Sequence, residues 1–151
     1  MNPLSELRRA LITRLGEISP ANGYLTSAGS RVESGWFSEV IKSSKSAYPM
    51  IVVQKGRDGP PEHGPTQLKL SRAFFVFGSV DAGIDGYEDA LDDIEHDILM
   101  TLMPNVGRSI AWAPRGSTKI NIGTPEQVPP GNGEKAATVL IPVELSLIIG
   151  P

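Results

Sequence analysis

Between Ala137 and Ile149 every second residue is apolar: Ala137, Val139, Ile141, Val143, Leu145, Leu147 and Ile149. This alternation marks a long β-strand with one face turned to a core and the other turned away from it. Such a strand needs partner strands and a layer that covers its apolar face. Pro142 falls on the opposite face and has no N–H to donate to a ladder, so an edge strand or a bulge is expected there.

The covering layer is also legible. Leu4, Leu7, Leu11, Leu15 and Ile18 recur at helical spacing, with Arg8, Arg9, Thr13 and Glu17 between them. Asn2 is a good N-cap and Pro3 suits the first helical position, where its missing N–H is no loss. A helix is therefore expected from about Pro3 to Ile18, stopped by Ser19-Pro20. The second helix carries the stripe Tyr87, Leu91, Ile94, Ile98 and Leu102, widened by Ala90 and Leu99, and ends at Pro104. Asp85 and Glu88 match an Asp-x-x-Glu capping box at its start.

The remaining strands are shorter. Pro49 to Gln54 is apolar on both faces and reads as a central strand. Gln67 to Gly78 places Leu68, Leu70, Phe74 and Val76 on one face and Lys69, Ser71, Ala73, Phe75 and Phe77 on the other. These two strands form a long hairpin around the Gly- and Pro-rich loop 56–65, whose composition opposes both helix and ladder. Ser109 to Ala113 and Thr118 to Gly123 read as short strands joined through Pro114-Arg115-Gly116, and residues 124–134 as a flexible loop. In residues 19–48, Asn22-Gly23 and Ala28-Gly29-Ser30 read as turns, while Trp36, Phe37, Val40 and Ile41 form a short helix or lie along the edge of the core. The expected fold is one soluble α+β domain over residues 1–151. It is an antiparallel sheet with a long hairpin and two amphipathic helices packed on one face.

Composition narrows the function. The 151 residues include 14 basic and 17 acidic side chains, for a net charge of −3, and no basic stripe that would coat DNA. The absence of cysteine rules out disulfides, cysteine zinc sites and thiol catalysis. No apolar run follows the N-terminal charges as in a signal peptide. The longest apolar stretch, Val139 to Ile149, is shorter than the about 20 residues of a membrane span and is interrupted by Pro142, Glu144 and Ser146.

Catalytic patterns are not found. The two histidines are His63, in the 56–65 loop, and His96, on the second helix; no Gly-x-Ser-x-Gly elbow accompanies them. Gly56-Arg57-Asp58-Gly59 lacks the Gly-Lys-Ser/Thr ending of a phosphate-binding loop, and no dinucleotide fingerprint occurs. Asp85, Glu88, Asp89, Asp92, Asp93, Glu95 and Asp97 crowd the second helix. Glu88, Asp92 and His96 fall in one row, but each step is a full turn, so one cation does not reach all three; a solvated face is the preferred reading. Trp36 and Trp112 lack a basic surround and read as core or rim packing rather than base-stacking platforms. Arg8, Arg9, Lys42 and Lys45 read as solvated surface. The loop 56–65 is either a binding element or a plain hairpin tip. No metal or cofactor is expected.

The order of elements resembles the tail terminator proteins of long-tailed phages, sometimes called minor tail proteins. Four segments carry the resemblance over nearly the whole chain: the helix Leu4–Leu11 leading to Gly23-Tyr24, the strand Pro49–Val53, the helix around Ala90–Ile94 and Ile98-Leu99, and the closing strand Ala137–Leu145. The resemblance implies a non-enzymatic virion protein that is assembled in the host cytoplasm and works in the tail. It implies a homo-oligomeric ring, a hexamer, that caps the tail tube, ends its polymerisation and offers a surface to a head-completion protein. DNA passes through such a ring without specific binding, and no membrane is involved. In that setting Arg57, Asp58, Glu62 and His63 are candidates for partner contact. Glu88, Asp89, Asp92, Asp93 and Asp97 are candidates for a pore wall that repels phosphates. A head–tail connector and a small metal-dependent hydrolase stand as the alternatives.

Overall fold

The computed structural model describes residues 2–43, 47–83, 85–104, 110–130 and 135–151. Helix α1 spans Pro3–Leu15. The Asn2 side chain accepts the Ser5 N–H at 2.9 Å, and Pro3 occupies the first turn, as the sequence indicates. The helix stops at Gly16 instead of running to Ile18. Ile18 is nevertheless fully buried, so the apolar stripe outlasts the helix that carries it.

The strands are β1 Val32–Ser34, β2 Met50–Lys55, β3 Glu62–His63, β4 Leu68–Asp81, β5 Ser117–Ile122, β6 Glu126–Val128 and β7 Ala136–Ile149. They form one sheet in the order β1-β2-β4-β7-β5, with β3 pairing β4 and β6 pairing β7. The fold is α+β, with two further helices, α2 Phe37–Val40 and α3 Tyr87–Thr101. The sheet is mixed rather than wholly antiparallel, because β1 runs parallel to β2. Three residues are too few to show alternation, which is why β1 is invisible in the sequence.

Strand parity divides the sheet into two faces. Phe74, Val76, Ile51, Val53, Val139, Ile141 and Val143 turn to the helices and join Leu7, Leu11 and Leu15 of α1 and Leu91, Ile94 and Ile98 of α3 in one buried core. The opposite face carries Val52, Phe75, Phe77, Leu140 and Pro142. There the short α2 lies, with the Phe37 ring stacked on Phe77 at 4.3 Å between centroids.

Several expectations are corrected. β7 is not an edge strand: it lies between β4 and β5, so Pro142 sits inside the sheet. The Gly123 N–H donates to the Pro142 carbonyl at 2.8 Å, so the polar side of Pro142 faces β5 and β6. Its missing donor falls where that neighbour breaks between Ile122 and Glu126. Within 109–113 there is no strand among the described residues; Ala113 N–H closes a turn onto Ile110 O at 3.2 Å. Ser109 lies outside the described residues, as does Lys45. The 124–134 segment is not all loop, since β6 pairs with β7 through Glu126↔Leu140 and Val128↔Thr138. The capping box at α3 does not form: the N-cap is Gly86 at φ 74°, with no side-chain cap, a left-handed conformation suited to glycine. No helix among the described residues is long and apolar enough to cross a membrane.

Gly78 lies where α3 crosses the sheet. A Cβ there would stand 3.0 Å from Ile98 Cδ1 and 3.2 Å from both Ile94 Cδ1 and Val139 Cγ1. Gly78→Val should therefore overpack the core and cost about 1–3 kcal/mol, read as a lower urea midpoint at unchanged slope.

Candidate functional site

The loop 56–65 is more ordered than its composition suggests. β2 ends at Lys55 while β4 continues past it, so the edge of β4 at Ala73 needs a substitute partner. The loop supplies one. Gly56 N–H donates to Ala73 O at 2.8 Å, and Ala73 N–H donates to Asp58 Oδ1 at 2.8 Å. Arg72 Nη1 donates to Asp58 Oδ2 at 2.9 Å, and Lys55 Nζ donates to Asp58 Oδ1. Asp58, expected to meet a partner protein, is instead occupied in tying the loop to the sheet. Further along, β3 pairs with β4 through Glu62↔Lys69 and His63↔Leu68, so two loop residues do hold a ladder. Arg57, Glu62 and His63 are exposed and remain available for contact.

Burial works to raise the Asp58 pKa. The Lys55 and Ala73 hydrogen bonds and the charges of Arg72 and Lys55 outweigh it and hold the carboxyl below its usual 3.8.

The acidic helix divides into two groups. Glu88, Asp89, Asp92 and Asp93 are exposed on the first half of α3, with Asp92 and Glu95 accepting from Gln127 Nε2 at 2.7 and 3.3 Å. Asp97 does not belong with them. It is 1% exposed and accepts from Leu25 N–H at 3.0 Å, Thr26 N–H at 2.8 Å and Thr26 Oγ1 at 2.8 Å. Tyr24 Oη donates to Thr101 Oγ1 at 2.9 Å one turn later. The connection after α1 is thus stapled to α3, and Asp97 cannot line a pore. A signal existed: Asp97 falls between Ile94 and Ile98, inside the apolar stripe. His96 is exposed, and the row Glu88, Asp92, His96 forms no cluster: among the described residues no three acidic or histidine side chains gather as a metal site would require.

Two apolar surfaces are incompletely covered, the first of them partly shielded by α2 through Phe37 on Phe77. On the second sheet face, Phe75 and Phe77 stand 6.5 Å apart, beside half-buried Leu140 and Pro142. Trp36 is 63% exposed and Val128 45%. Trp36 is therefore not packed in the core, whereas Trp112 is half-buried against it. The other surface is at the C-terminal end of α3, where Leu25, Met100 and Met103 are all exposed. Sequence reasoning missed both. The alternation of Phe75 and Phe77 on the face opposite the core was the available signal for the first.

No protein-family model matches the chain, and no curated protein sequence matches it.

Two outcomes follow from these carboxylates. Asp97→Ala strands donors to a charged acceptor and should cost about 2–3 kcal/mol, while Asp93→Ala on the exposed face should stay within about 0.5 kcal/mol; urea melts of the two variants compare them directly. Because the folded pKa of Asp58 is depressed, its contribution is complete above the unfolded value and is lost as pH falls through the folded one. Thermal melts should show the parent losing stability below about pH 4, and Asp58→Asn should be less stable at pH 7 yet lack that acid-dependent part.

Proposed function

We propose that the protein is a structural component of a phage tail that joins copies of itself head to tail into a ring. The ring caps the tail tube, stops its polymerisation, offers a surface to the head and leaves an opening for DNA. Its role is steric and needs no catalytic group.

The observation that carries this reading is the pair of unlike apolar surfaces on different sides of the molecule. Exposed apolar patches of this kind mark association sites. Two dissimilar patches fit a heterologous contact, which closes into a ring or runs on as a filament, whereas a twofold dimer uses one patch twice. The order of elements adds support. The helix α1, the strand β2, the helix α3 and the long closing β7 correspond to the four segments that carry the resemblance to phage tail terminators. Pro142 lies inside the sheet, so β7 offers no free edge to such a contact.

The loop tip contributes a second contact in this reading. Asp58 holds the loop, and Arg57, Glu62 and His63 face outward toward a neighbouring tail protein. The test is the mass of the particle in solution and on tail tubes, with electron microscopy of the tube ends. Closed rings of one copy number and tubes of uniform length are expected. A protein that stays monomeric at high concentration and also with tubes overturns the reading. Replacing Arg57, Glu62 and His63 together by alanine should leave folding intact and weaken tube capping several-fold in a competition with the parent; equal capping would make the loop a plain hairpin tip.

A further inference from the structure

The second sheet face is chemically graded along its length. At the end where β7 begins, Phe37, Ile41, Tyr48 and Thr138 surround a cavity of about 350 Å³ that Lys42 and Lys135 also line. Both lysines are exposed, and among the described residues neither makes an ion pair. Asp81 adds its charge to burial in raising the Tyr48 pKa, and Glu39 lies three residues before Lys42. Farther along, the face becomes apolar through Phe77, Leu140, Phe75 and Pro142.

The opposite side of the molecule has the same gradation. Ala82 N–H donates to Lys135 O at 2.8 Å, so Lys135 lies beside the connection that leads from β4 into α3. The exposed carboxylates Glu88, Asp89 and Asp93 on the first half of α3 therefore share an end of the molecule with Lys42 and Lys135, but on the other face. The far end of α3 is apolar, with Met100 and Met103 exposed. Acid precedes apolar on one face, and base precedes apolar on the other.

We infer that the second sheet face is the seat for α3 of another copy of this chain, with Glu88, Asp89 and Asp93 set against Lys42 and Lys135 and the methionine end set against Phe75 and Pro142. This rests on the ring reading and names its contact. The charges fix register and disfavour a reversed docking, since reversal would set both charged clusters against apolar surface with no partner. The contact is heterologous and so propagates around a ring. It places these carboxylates between copies and not on the wall of the opening.

Reciprocal charge reversal in the full chain tests the contact. One variant carries Lys42→Glu and Lys135→Glu; the other carries Asp89→Lys and Asp93→Lys. Particle mass is measured by light scattering, alone and with tail tubes, and circular dichroism melts establish that each variant is folded. Each variant by itself should fall to monomer mass, and a one-to-one mixture should recover assembly, because opposite charges face each other at every contact of an alternating ring. Single variants that assemble as the parent does overturn the inference and leave the ring standing; if such rings also fail to pass DNA, the carboxylates belong to the opening. Folded variants whose mixture stays monomeric overturn it as well. A parent that never assembles defeats the ring reading itself.

Discussion

The fold hangs on one ladder. β4 and β7 pair in unbroken antiparallel register from Leu68↔Ile149 to Asp81↔Ala136. Every other element is placed by reference to these two strands. β2 and β3 extend the sheet from β4, β5 and β6 extend it from β7, and α3 lies across both strands at Gly78. The ladder also aligns two apolar stripes on one face, so Phe74, Val76, Val139, Ile141 and Val143 present a continuous surface for α1 and α3. A slip of one residue would turn that surface away from the helices.

Two carboxylates finish what the ladder begins. Asp97 accepts three donors from residues 25 and 26 and so fixes the connection after α1 against α3. Asp58 takes the place of a strand where β2 ends before β4 does. In each case a charged acceptor satisfies backbone N–H groups that would otherwise be left unpaired, an arrangement stronger than neutral hydrogen bonds. Both residues were candidates for intermolecular roles on sequence grounds, and both are used inside the fold. The proposed contacts fall instead on the exposed half of α3, the loop residues Arg57, Glu62 and His63, and the second sheet face.

The readable parts of the chain were those with long periodicity. α1, α3, β4 and β7 all repeat apolar residues over several turns or several alternations, and β2 is a short continuous apolar run, so their locations follow directly. Boundaries were less legible: α1 ends at Gly16 and α3 begins after Gly86, where local backbone geometry decides rather than the stripe. β1, β3 and β6 are two or three residues long and exist because a neighbouring strand offers unpaired groups. The candidate site was legible in part. The acidic first half of α3 was visible as a run of carboxylates, but the removal of Asp97 from it, and the apolar second sheet face, were not.

By itself the sequence determined the class of fold, since alternation in the closing strand and the two helical stripes require a sheet covered by helices on one face. It also determined which side chains form the core, because burial of apolar surface follows periodicity. The tertiary structure alone decided where β7 lies in the sheet. Pro142 argues for an edge when read locally, yet an interior position is satisfied because the neighbouring strand breaks opposite its missing N–H. The roles of the charged residues were likewise settled by three-dimensional neighbours: a carboxylate's place depends on which backbone donors are brought to it from residues far away in the chain, and no spacing along the sequence records that.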